Sequence, residues 1–135
     1  MKFYALVILP LGTRVHEAPD VEAATAALMQ PFQMWQDDRP PGEWDYYWCC
    51  TRDGLKERGE DVCQWPTALA DAEHLVVPVD TVTPDDLTYA LVTPQQEWFN
   101  SKATYAAEDP TWPERALAVC RRFAGHHAVL VFCHG

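Results

Sequence analysis

Two adjacent pairs are the first residues able to do chemistry in this chain: the thiols Cys49-Cys50 near the middle, and the thiol Cys133 beside the imidazole of His134 at the end. Thiolates and an imidazole are zinc ligands, and these four could converge if their segments paired as strands. Strand geometry opposes it, because neighbouring residues face opposite sides and only one of each pair can point inward. Cys63 and His74 lack zinc-ligand spacing, and a buried free thiol is the ordinary state of cysteine. A nucleophilic Cys50 or Cys133 would need a histidine and an electropositive setting, and the surrounding acids work against that. There is no phosphate-binding glycine loop, no Gly-x-Ser-x-Gly elbow and no His-Glu-x-x-His. The reading is therefore no catalytic residue, no metal and no cofactor.

The richest stretch runs from Glu43 to Gly54, with Trp44, Tyr46, Tyr47 and Trp48 ahead of Cys49-Cys50 and Arg52-Asp53-Gly54. Alternation sends Tyr46 and Trp48 to one face of a strand and Tyr47 and Cys49 to the other. One set belongs to the core, and the other is either covered by a loop or left as a contact patch. Asp45 and Arg52 read as a salt-bridged support for this row rather than as catalysts.

Charge is segregated along the chain. The formal net charge is −10, and the segment from Glu60 to Glu114 holds eleven acids against Lys102 alone. The remainder is neutral. Such a balance disfavours direct binding to a phosphate backbone, which needs clustered Lys and Arg. It favours attraction to a basic protein surface, although acidic bias also serves solubility alone.

The elements that must position these residues follow from pattern. With 135 residues, 48% of them hydrophobic, the chain is long enough for a single domain, 1–135, with a core that needs no disulfides. Five cysteines without repeated spacing suit a reducing compartment. Phe3 to Leu9 is a continuous apolar strand, too short to span a membrane. Asp20 caps a helix that Pro31 stops; the loop from Gln33 to Gly42 is irregular; Tyr46 to Thr51 is a second strand. Leu55 to Pro66 reads as a charged loop, Thr67 to His74 as a short helix, and Leu75 to Val79 as an edge strand because Pro78 lacks a ladder donor. Thr83 to Leu87 is a capped turn. Tyr89–Thr93 and Glu97–Asn100 make a hairpin. Thr111-Trp112-Pro113-Glu114 opens a helix ending at Gly125, and Ala128 to Cys133 is the last strand. The order predicts an α+β fold: an antiparallel sheet of four to five strands, with the first and last side by side. Two main helices lie on one face, ferredoxin-like in outline, with an acidic middle insert at about 55–88.

The segments Trp44-Asp45-Tyr46-Tyr47 with Arg52, Ala90-Leu91-Val92-Thr93-Pro94-Gln95-Gln96-Glu97-Trp98 and Cys133-His134-Gly135 resemble, in order, a family of uncharacterised small proteins encoded by phages of high-GC bacteria. The chain departs from that pattern at Cys50-Thr51, Gln96, Phe99 and Phe132, so parts of any shared site are missing. The resemblance implies a phage or prophage origin and a host-cytoplasmic location, and no mechanism.

Taken together, the expected function is an acidic protein-binding module. It would be a phage-encoded inhibitor occupying the basic, nucleic-acid-binding surface of a host protein, as anti-CRISPR proteins do. The residues expected to meet the partner are Trp44, Asp45, Tyr47, Arg52, Asp85, Asp86, Trp98, Glu108 and Asp109. The alternatives are a small enzyme or nucleotide-binding protein using Arg52 and His134, and a structural phage component.

Overall fold

The structure is a computed structural model and describes residues 1–34, 42–59 and 65–135. The expected loop at Gln33–Gly42 therefore falls largely outside the described residues, as do Glu60, Asp61 and Cys63.

The fold is α+β, built on one six-stranded sheet. Its centre is the expected pair: β1 (Lys2–Ile8) lies antiparallel to β6 (His127–His134), from Lys2 opposite His134 to Ile8 opposite Ala128. β2 (Tyr46–Cys49) and β3 (Val76–Pro78) follow one another along the other side of β6. Pro78 thus sits in an outer strand, as its missing N–H requires. β4 (Ala90–Val92) and β5 (Trp98–Asn100) form the expected hairpin. β4 runs parallel to β1, so the sheet is mixed, with one more strand than the sequence suggests and no purely antiparallel order.

The helices occupy both faces, a second difference with a physical reason. β1 and β6 are apolar at nearly every position, and a strand buried on both sides must be covered twice. Phe3, Ala5, Val7, Val129 and Val131 meet Val21, Leu28 and Met29 of α1 (Ala18–Met29) on one side. On the other, Leu6, Ile8, Ala128 and Leu130 meet Ala116, Val119 and Cys120 of α3 (Trp112–Arg121). Both helices carry a proline in the first turn, where no N–H is missed. Asp20 does not cap α1; it lies inside the first turn and accepts from Arg14 Nε at 2.6 Å.

Three local expectations are corrected. The Arg52-Asp53-Gly54 turn and the start of the charged loop are a short helix, α2 (Arg52–Glu57). Thr51 caps it by accepting from the Gly54 N–H at 3.0 Å, and a Cβ at Gly54 would come equally close to that hydroxyl. The segment 67–74 forms turns instead of a helix. At α3 the Thr111 side chain makes no cap bond; it donates to Asp109, whose carboxylate also receives Arg115. The capped turn at Pro84–Asp86 forms as expected, with Thr83 and Asp86 bonding reciprocally.

Candidate interaction site

On the α3 side of the sheet the side chains of Tyr4 and Phe132 pack against the core, and His134 continues their row along β6. Tyr46 and Trp48 of β2 join them across the strand pairing. Tyr46 is 44% exposed and Trp48 38%. Their rings make a ladder across the strand pairs Tyr46–His134 and Trp48–Phe132. His134 stacks on Tyr46 at 4.8 Å between centroids, Tyr46 on Trp48 at 6.0 Å, and Trp48 on Phe132 at 4.5 Å. Tyr4 meets Phe132 edge-on at 5.3 Å.

One cation already lies on this strip. The guanidinium carbon of Arg58, just past α2, sits 4.0 Å from the Trp48 ring centre and 4.6 Å from that of Phe132. At the other end the Nδ1 of His134 is 2.7 Å from Asp45 Oδ1, which fixes the imidazole over Tyr46. This hydrogen bond is also the main reason that the Asp45 carboxyl titrates below the usual range.

Tyr4 joins the strip to a cleft of ≈ 480 Å³. Leu55, Trp65 and Leu130 line it with Tyr4, Tyr89 and Tyr105 stand beside it, and Asp85, Asp86 and Lys2 supply charge. Tyr105 is fully exposed, whereas Trp65 is buried. The Asp86 carboxylate is held by the Thr83 N–H at 3.0 Å and hydroxyl at 2.9 Å; Asp85 forms no ion pair among the described residues.

The residues expected to meet a partner are only partly gathered here. Trp44 is inside, 8% exposed, with its indole N–H donated to the Met29 carbonyl at 2.8 Å and its ring edge-on to Tyr47. Tyr47 is half-buried on the α1 side, and burial pushes its hydroxyl up to about 12. Both rings lie on the α1 side of the sheet, and the exposed pair is the other half of the alternation, Tyr46 and Trp48. Arg52 does not pair with Asp45; its Nη2 donates to the carbonyls of Ala68 and Leu69, and its buried Nε has no partner among the described residues. Trp98 is half-buried, in ring contact with Phe3 and Phe32, its indole N–H donated to Asn100. Asp109 is a structural carboxylate, receiving the Lys102 N–H, the Thr111 hydroxyl and Arg115. The Thr111 hydroxyl and the Lys102 N–H above all, with the Thr111 N–H and Arg115 behind them, hold it well below the usual range. Asp45, Asp85 and Asp86 lie at the strip or cleft, and Glu108 is exposed.

The thiols separate as alternation requires. Cys49 and Cys133 are on the α1 side, and Cys50 belongs to the α3-side core, the face on which His134 stacks. Burial pushes the Cys133 thiol up to about 12 and that of Cys120 to about 11. Arg52 lines a shallow cavity with Thr51, Asp53, Ala72 and Glu73, whereas His134 is held by Asp45 on the strip. Among the described residues no helix is long and apolar enough to cross a membrane.

No family model matches the chain, and neither a curated protein nor a solved structure matches it.

Proposed function

We propose that this chain is an acidic protein-binding module whose contact surface is the strip of Tyr46, Trp48, Phe132 and His134. The observation that carries this reading is the exposure of a stacked Tyr46–Trp48 pair beside Arg58, at the edge of the α3-side core. Trp, Tyr and Arg are the residue types that dominate binding energy in interfaces, and adjacent exposed rings differ from the scattered single apolar residues that any surface carries.

Charge indicates the sort of partner. Several acids of the 60–114 segment serve the fold: Asp71 pairs with His16, Glu97 with Arg122, Asp109 with Arg115, and Asp80 accepts from the Gly125 N–H. Glu73, Asp85, Glu108 and Glu114 are exposed and join no ion pair among the described residues. With a net charge of −10 they favour approach to a basic protein surface. In its more specific form, resting on the phage-like motifs, the partner is a host nucleic-acid-binding protein in the host cytoplasm, and this chain inhibits it by covering its basic face.

The test is capture from bacterial host lysate by the immobilised full chain, beside Tyr46→Ala and Trp48→Ala. The expected result is a basic protein that competing double-stranded DNA releases and that the two variants do not retain. A partner held equally by all three chains refutes the assignment of the surface.

A further inference from the structure

The cleft beside the strip has a chemistry of its own. Tyr4 from β1, Trp65 and Tyr105 line one concavity together with Asp85 and Asp86, while the ring of Tyr89 at its rim packs edge-on against Phe3 on the α1 side. Its volume of ≈ 480 Å³ lies within the usual range for small-ligand sites. Aromatic walls combined with a carboxylate are the means by which proteins hold organic cations, since ring faces attract positive charge and the carboxylate pairs with it. We propose that this cleft receives a guanidinium group, the side chain of an arginine carried by the basic partner. The proposal rests on the reading of the chain as an acidic binding module and names what that partner presents.

Two further observations favour a guanidinium. The planar group stacks on rings while its N–H fork engages a carboxylate, and it is more weakly hydrated than an ammonium. The neighbouring rings already show such stacking, with Arg58 over Trp48 and Phe132. The cations at the cleft are Lys2 and the Met1 ammonium. The Met1 ammonium donates to the carbonyl of Gly135, at the far end of the same chain. Lys2 is exposed on a flexible stem that can swing away from an incoming cation.

The experiment is an NMR titration of the full ¹⁵N-labelled chain with three blocked amino acids: N-acetyl-arginine, N-acetyl-norleucine and N-acetyl-glutamate methylamides. The arginine probe is expected to shift the Trp65 indole N–H and the Tyr105 amide saturably, with a Kd on the order of millimolar for so small a ligand. Asp85→Asn, an exposed change that leaves the core intact, should weaken it about two- to fivefold, the range of an exposed ion pair. Norleucine binding as well as arginine overturns the proposal in favour of a merely apolar cleft. Glutamate binding better overturns it in favour of an anion site around Lys2, and no shift by any probe overturns it outright. Glu17→Gln, an exposed change at the start of α1, should bind the arginine probe as the parent does. Loss of the probe while lysate capture still depends on Trp48 therefore fells the cleft assignment alone; loss of that dependence fells the module reading.

Discussion

Replacing Trp44 by Phe separates a structural indole from a binding one. Trp44 is 8% exposed, and its N–H reaches the Met29 carbonyl at 2.8 Å near the end of α1. Phenylalanine removes the donor, leaves that buried carbonyl without this partner and vacates the volume of the pyrrole half of the ring. Stranding a buried acceptor costs about 1–3 kcal/mol, and the small cavity adds to it. A total of roughly 2–3 kcal/mol is expected. At about 4 °C per kcal/mol for a chain of this length, the midpoint of thermal unfolding should fall by roughly 8–12 °C. Circular dichroism at 222 nm, scanned reversibly, reads this directly. Below the transition, capture of the basic partner should remain at the parental level. An unchanged midpoint combined with lost capture would refute the placement of Trp44 in the core, and with it the assignment of the open face to Tyr46 and Trp48.

Other outcomes follow from the same structure. Gly125 has φ +83 just after α3, with open space where a Cβ would stand, so Gly125→Ala should destabilise by about 1 kcal/mol through backbone strain alone, read by urea unfolding. The carboxyls of Asp45 and Glu97 titrate low, held chiefly by His134 and by Thr93 with Arg122 respectively. A carboxyl lowered by folding stabilises fully above the unfolded value near pH 4, and this is lost as pH falls through the folded value. Arg122→Ala should therefore flatten the acid limb of stability against pH, and an unchanged limb would contradict the role given to that pair. Cys120 and Cys133 should resist iodoacetamide at pH 8 in the folded chain and react fully in urea, as mass spectrometry of alkylated peptides would show.

Much of this fold is legible in the residues. The unbroken apolar runs of β1 and β6 announce the central pair, and Pro78 marks an outer strand. Those same runs also carried the evidence that both faces are covered, since alternation with polar residues is absent. α2 escapes pattern reading because it is six residues long and contains a glycine. Its helix depends on the Thr51 cap, a contact that only the fold completes. The parallel pairing of β4 with β1 is a long-range choice that neither segment encodes locally.

The site was half visible. Period-two alternation separates Tyr46 and Trp48 from Tyr47 and Cys49, and the structure keeps that division. Which half faces outward depends on α1 packing over the Tyr47 side and on how far the α3-side core extends past Leu130 and Phe132. That is a matter of tertiary placement. Arg58 carried no signal in the sequence, because its guanidinium reaches Trp48 only once α2 has formed. The acids at 109 and 97 looked free for the same reason: their arginines, Arg115 and Arg122, arrive with α3.

The most direct measurement is the affinity of the captured basic partner for the parent chain and for Trp48→Ala, by calorimetry at one fixed ionic strength. Circular dichroism on the same samples verifies that both chains are folded. A hot-spot tryptophan contributes at least about 2 kcal/mol, so the variant should bind roughly thirtyfold more weakly. Affinities within twofold of each other would contradict the claim that this open aromatic face is where the protein meets its partner.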